Sequence, residues 1–95
     1  MRLSELQGIT RASLFLAISY LETQPKVGVD ELDKCEDIVA EYLYMNGLQF
    51  NFVNNWNSMI IPHRICLLAN TVRKKEIPYT EALDRLGKRV RLKMY

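Results

Sequence analysis

Asp30-Glu-Leu-Asp-Lys-Cys-Glu-Asp-Ile-Val-Ala-Glu-Tyr-Leu-Tyr-Met-Asn46 is the stretch that decides the fold class. Leu32, Cys35, Ile38, Val39, Tyr42, Leu43 and Met45 recur every few residues, at the spacing that gathers side chains on one arc of an α-helix. Asp30, Asp33, Asp37 and Glu41 fall on the other arc as a carboxylate stripe. Asp30 also puts negative charge at the positive end of the helix dipole. Gly47 follows as a natural C-cap. Such a helix has an apolar arc that other elements must cover, so the chain is expected to be a bundle.

Working outward, Thr23-Gln-Pro-Lys-Val-Gly28 reads as a loop, because proline and glycine both interrupt a helix. Before it, the spacing predicts a helix over about Glu5–Leu21, with Ser4 and Gln7 at the spacing of a capping box. Leu3, Leu6, Leu14, Ala17 and Leu21 share one face, and Ile9, Leu16 and Tyr20 extend it. Only a strip of Ser4, Gly8, Arg11, Ser19 and Glu22 looks wet. A helix this apolar needs cover on several sides, from its own bundle or from a second copy, and Leu16 and Tyr20 are the candidate self-association residues.

After the acidic helix, Gly47-Leu-Gln-Phe-Asn-Phe-Val-Asn-Asn-Trp-Asn57 breaks the helical pattern. Leu48, Phe50 and Phe52 alternate with polar residues, which is strand-like over 48–52, and the asparagines favour turns. This segment is expected to be an irregular, aromatic-rich connection, with Trp56 able to plug the core or anchor a partner. A third helix is expected over about Met59–Lys75, with Pro62 in its first turn and Ile61, Ile65, Leu68, Ala69 and Val72 on its buried face. Arg73, Lys74 and Lys75 close it at the negative end of its dipole. Pro78 then breaks the chain before Thr80, a natural N-cap.

The last segment supports two readings. Leu83, Leu86, Val90 and Met94 fit a helix face, and Glu81 with Arg85 and Asp84 with Lys88 are acid-before-base pairs four apart. Residues 89–94 also alternate strictly, and Gly87 would separate a short helix from a short strand. Helix is the preferred reading. The expected architecture is therefore all-α: one domain over residues 1–95, a compact bundle of three to four helices.

Charge is divided unevenly. Residues 1–57 carry four basic and eight acidic side chains, whereas residues 58–95 carry nine basic and three acidic. The overall +2 hides this polarity. The two halves can attract each other within one molecule or between copies, and the basic half can contact phosphate. Arg73, Lys74, Lys75, Arg85, Lys88, Arg89, Arg91 and Lys93, with Trp56, are the candidate contacts for a protein or nucleic-acid partner. Asp30, Asp33, Asp37 and Glu41 are the candidate acidic face.

Catalytic patterns are sparse. His63, the single histidine, precedes Cys66 by three residues. A thiol enzyme would need an orienting third group, and a structural zinc would need four ligands where Cys35 could add only a third. His63 is expected on the solvent side, with Cys35 and Cys66 reduced and packed. No glycine-rich phosphate loop and no apolar run of membrane-spanning length occur. The sequence thus points to a non-enzymatic, cytoplasmic regulatory or adaptor protein, such as an inhibitor or assembly factor. It would use no cofactor, metal, membrane or small-molecule substrate. Its partners would be another protein or a second copy of itself. Nucleic-acid binding through the basic C-terminal segment is the alternative.

Overall fold

Four helices run in the order α1 (Leu3–Glu22), α2 (Val29–Met45), α3 (Asn55–Arg73) and α4 (Tyr79–Lys93). The structure is a computed structural model that describes the backbone of residues 3–47 and 55–93 and the side chains of residues 8–47 and 61–86. Among the described residues there is no strand. The radius of gyration is 12.7 Å, against about 12 Å for a compact chain of this length.

α1 is the hub. It packs against α2, α3 and α4, which supplies the cover that its apolar sequence demands. Leu14, Ala17, Ile18 and Leu21 are buried in it. Two polar residues are buried on it as well, Thr10 and Ser13, and Ser13 Oγ donates to the Thr10 carbonyl at 2.7 Å. Gly8, Arg11 and Glu22 are exposed, as the wet strip requires. So is Phe15, at 63%. Ser4 is already inside the helix, which starts at Leu3, so it is not the N-cap expected of it.

α2 follows its sequence closely. Cys35, Val39 and Leu43 are buried, and Leu32, Ile38 and Tyr42 are half-buried beside them. Met45, expected on the buried arc, is exposed because the helix end runs past the core. The cap is Gly28, whose backbone N–H donates to the Glu31 carboxylate at 3.3 Å. Gly47 follows in the left-handed region at φ 86°, where a side chain would be strained.

α3 begins earlier than expected, at Asn55, and Pro62 is buried inside it, not in its first turn. Asn55, Trp56 and Asn57, which read as loop, therefore open the helix. Ile65, Cys66 and Ala69 are buried and Ile61, Leu68 and Val72 pack against the core. The helix ends at Arg73. The Glu76 N–H bonds the Thr71 carbonyl and the Lys75 N–H bonds that of Val72, which is a Schellman closure. Lys75 takes the left-handed position at φ 62°.

α4 starts at Tyr79, so Thr80 lies within it. The Pro78 carbonyl accepts from the Glu81 and Ala82 N–H groups. Gly87 does not stop the helix, which continues to Lys93. The strand alternative for 89–94 is thereby replaced by helix over its described part. The alternation was short enough to fit either period, and continuous backbone bonding favours the helix. The strand-like segment at 48–52 lies outside the described residues. Ala82 and Leu86 bury one face of α4, with Leu83 half-buried.

Candidate functional site

The carboxylate stripe is an open surface. Asp30, Asp33, Asp37 and Glu41 are all exposed along α2. The other two acids of this helix are engaged at its edges. Glu31 caps the helix through Gly28, and Glu36 pairs across to α3, where His63 Nδ1 meets its Oε1. His63 is exposed, as expected, but it is tethered to α2.

The basic elements lie elsewhere. Arg73 is half-buried, and its Nε donates to Asn70 Oδ1 at 3.0 Å. Lys74 and Lys75 are exposed where α3 closes. Arg85 is exposed and bonds Glu81 one turn back at 3.3 Å. Lys88, Arg89, Arg91 and Lys93 follow on the same helical backbone; their side chains, and that of Trp56 in the first turn of α3, lie outside the described residues. Leu16 and Tyr20 are half-buried on α1, and Tyr20 packs against the core. Phe15, not singled out in the sequence, is the large apolar side chain that α1 leaves most open among the described residues.

Arrangement decides how these surfaces act. α2 and α4 each pack against both α1 and α3, and among the described residues their backbones do not come close to each other. The acidic helix and the basic helix therefore occupy different grooves of the α1–α3 pair.

The two cysteines meet in the core. Cys35 and Cys66 are 0% and 1% exposed, both free, and Cys66 Sγ donates to Cys35 Sγ at 3.1 Å. That donated hydrogen bond lowers the Cys35 thiol below its ordinary range, against the opposing effects of burial and of the Glu36 charge. The same bond pushes the Cys66 thiol far up, with burial and the charges of Cys35 and Glu36 acting in the same direction. Sequence reading placed each cysteine on a helix but did not pair them. The available signal was that each lies on the buried face of an amphipathic helix. Cys66 is thus bonded to Cys35 and His63 to Glu36, so the side chains considered as a thiol–histidine pair are each directed to another partner.

Among the described residues, no three of His, Cys, Asp and Glu converge as a metal set. Every buried side-chain nitrogen and oxygen there has a hydrogen-bond partner. A cleft of about 420 Å³ opens at the α3–α4 turn, lined by Val72, Lys75, Glu76, Ile77, Pro78 and Tyr79. No described helix is long and apolar enough to cross a membrane. No family model, curated protein or solved structure matches the chain.

Proposed function

We propose that this chain is a small, non-enzymatic regulatory or adaptor protein that works in the cytoplasm by charge-directed contact with other proteins. The observation that carries this reading is the separation of α2 from α4. Opposite charges that do not meet inside the molecule keep their fields available to steer and orient partners. The exposed acids of α2 offer one such surface and the cations of α3 and α4 the other. A second copy of the chain is one partner with matching chemistry; an acidic or basic patch on a different protein is another.

The test is affinity capture from the native host with the wild type and two variants, each with and without nuclease. One variant carries Asp33→Lys, Asp37→Lys and Glu41→Lys; the other carries Arg85→Glu, Lys88→Glu, Arg89→Glu and Arg91→Glu. A protein partner that survives nuclease, is lost by one variant, and is recovered when complementary charges are placed on it supports the adaptor reading. Identical capture by all three chains refutes it.

One observation favours the alternative. Because α4 remains helical to Lys93, its cations from Arg85 onward sit on one uninterrupted helix. Nucleic-acid binding through that helix predicts capture abolished by nuclease. It also predicts affinity that falls steeply between ~50 and ~200 mM salt, with each lost phosphate contact reducing the log–log slope by about 0.9 on duplex DNA. A protein surface gives a shallower dependence set by screening over about 10 Å.

A further inference from the structure

A free cysteine in a helical core usually behaves as a small apolar side chain. Here two sulfur atoms from neighbouring helices occupy the core in direct contact, Cys35 on α2 and Cys66 on α3. They are separated by 31 positions in the chain, so their meeting is produced by the fold. Cys35 Sγ in turn donates to the Ala17 carbonyl of α1 at 4.0 Å, so its own proton is held there until it ionises.

We propose that Cys35 and Cys66 are an oxidisable dithiol, converted by hydrogen peroxide into a disulfide that joins α2 to α3. The sulfurs stand 3.1 Å apart and need to approach by only about 1 Å to reach bonding distance. Rotation of the two side chains covers that without separating helices that already pack together. The Glu36–His63 pair bridges the same two helices beside the sulfurs and holds them in register.

The chemistry assigns different roles to the two thiols. Cys66 donates its S–H to Cys35, which favours the thiolate at Cys35 and the protonated form at Cys66. The Cys35 thiolate attacks one peroxide oxygen and the O–O bond breaks. Cys35 becomes a sulfenic acid, and the departing hydroxide takes the proton that Cys35 lost, forming water. Cys66 sulfur then attacks Cys35 sulfur and the S–O bond breaks. Hydroxide leaves with the Cys66 proton as a second water. Two thiols are oxidised by two electrons, and one peroxide is reduced to two waters. Burial selects the oxidant. Bulky disulfides cannot reach sulfurs that are 0% and 1% exposed, whereas peroxide is close to water in size and enters through a small opening of the helix seam.

The experiment uses the full chain, reduced, freed of reductant and exposed to hydrogen peroxide, followed by blocking of remaining thiols under denaturing conditions and tryptic mapping. The expected product is a monomer lighter by two hydrogens, in which the peptide spanning 35–64 is joined to the peptide spanning 65–73. It melts at a higher temperature than the reduced chain, and the shift disappears on reduction. In the Cys66→Ser variant, a dimedone adduct should accumulate on Cys35. In the Cys35→Ser variant, Cys66 should give no comparable adduct. The proposal is overturned if both thiols of the wild type remain blockable at peroxide doses that oxidise its methionines, or if only disulfides between chains form. A dimedone adduct on Cys66 in place of Cys35 overturns the assignment of roles. The wild-type thiol count stands even if a serine variant fails to fold.

Discussion

Shortening Leu21 to alanine tests how much of the bundle's stability rests on the buried face of α1. Leu21 is 0% exposed and belongs to the same cluster as Cys35, Val39 and Ile65. The substitution Leu21→Ala removes three carbons, about 2.4 kcal/mol of transfer free energy at about 0.8 kcal/mol each. The cavity left behind raises the cost to about 3–4 kcal/mol, since a close-packed cluster collapses only partly into such a space. A chain of this length has roughly 5–14 kcal/mol of net stability. The loss is therefore a large share of the whole and corresponds to a fall in melting temperature of roughly 15–25 °C. Phe15→Ala provides the control on the same helix. Phe15 is 63% exposed, so at most about 1 kcal/mol of burial is at stake, and the better helix propensity of alanine offsets part of that. Urea and thermal denaturation followed by far-UV circular dichroism measure both. If Phe15→Ala costs as much as Leu21→Ala, or if Leu21→Ala melts with the parent, then α1 does not hold the bundle together in the way described.

Gly8→Ala should stabilise the chain by about 0.5–1 kcal/mol in urea denaturation, because Gly8 is exposed in α1 and an added Cβ meets nothing within 4 Å. The thiol pair gives a pH signature under reducing conditions. The Cys66 thiol is raised in the fold, so its contribution is fully present below the ordinary thiol range of about 8.5 and is lost as pH rises, when the unfolded chain releases a proton that the folded chain keeps. Stability should fall by up to about 1.4 kcal/mol per pH unit there, and Cys66→Ser should remove that slope. Cys35 is lowered and acts with the opposite sign at lower pH, adding stability as pH rises towards the ordinary thiol range; a wild type whose stability rises from pH 9 to pH 10 would contradict the assignment.

What could be read in advance followed from how local each signal was. α2 and the buried face of α3 declare themselves through apolar residues repeated over several turns, so Val39, Leu43, Ile65 and Ala69 fell where expected. Boundaries set by one or two residues misled. Asparagines read as turn formers, yet Asn55 opens α3 and Pro62 is carried inside it; Gly87 reads as a stop, yet α4 continues past it. Tertiary packing and the continuity of backbone bonding outweigh single-residue preferences there. The Cys35–Cys66 and Glu36–His63 pairs, 31 and 27 positions apart, had no local signature. Only the rotation of α2 against α3 brings them together. The charged surfaces were legible as composition, but their placement in separate grooves was not.

That placement bears on symmetry. A two-fold dimer presents the same patch of each copy to the other. The acidic flank of α2 set against itself, or the basic flank of α4 against itself, would bring like charges together, so a two-fold contact driven by charge has to pair α2 of each copy with α4 of the other. Joining the α2 flank of one copy to the α4 flank of the next, with the other two flanks left open, is instead a heterologous contact, which closes into a ring or continues as a filament. Copies that associate through charge would therefore stop at two if one face of the molecule carries both flanks, and would add head to tail if the flanks lie on separate faces.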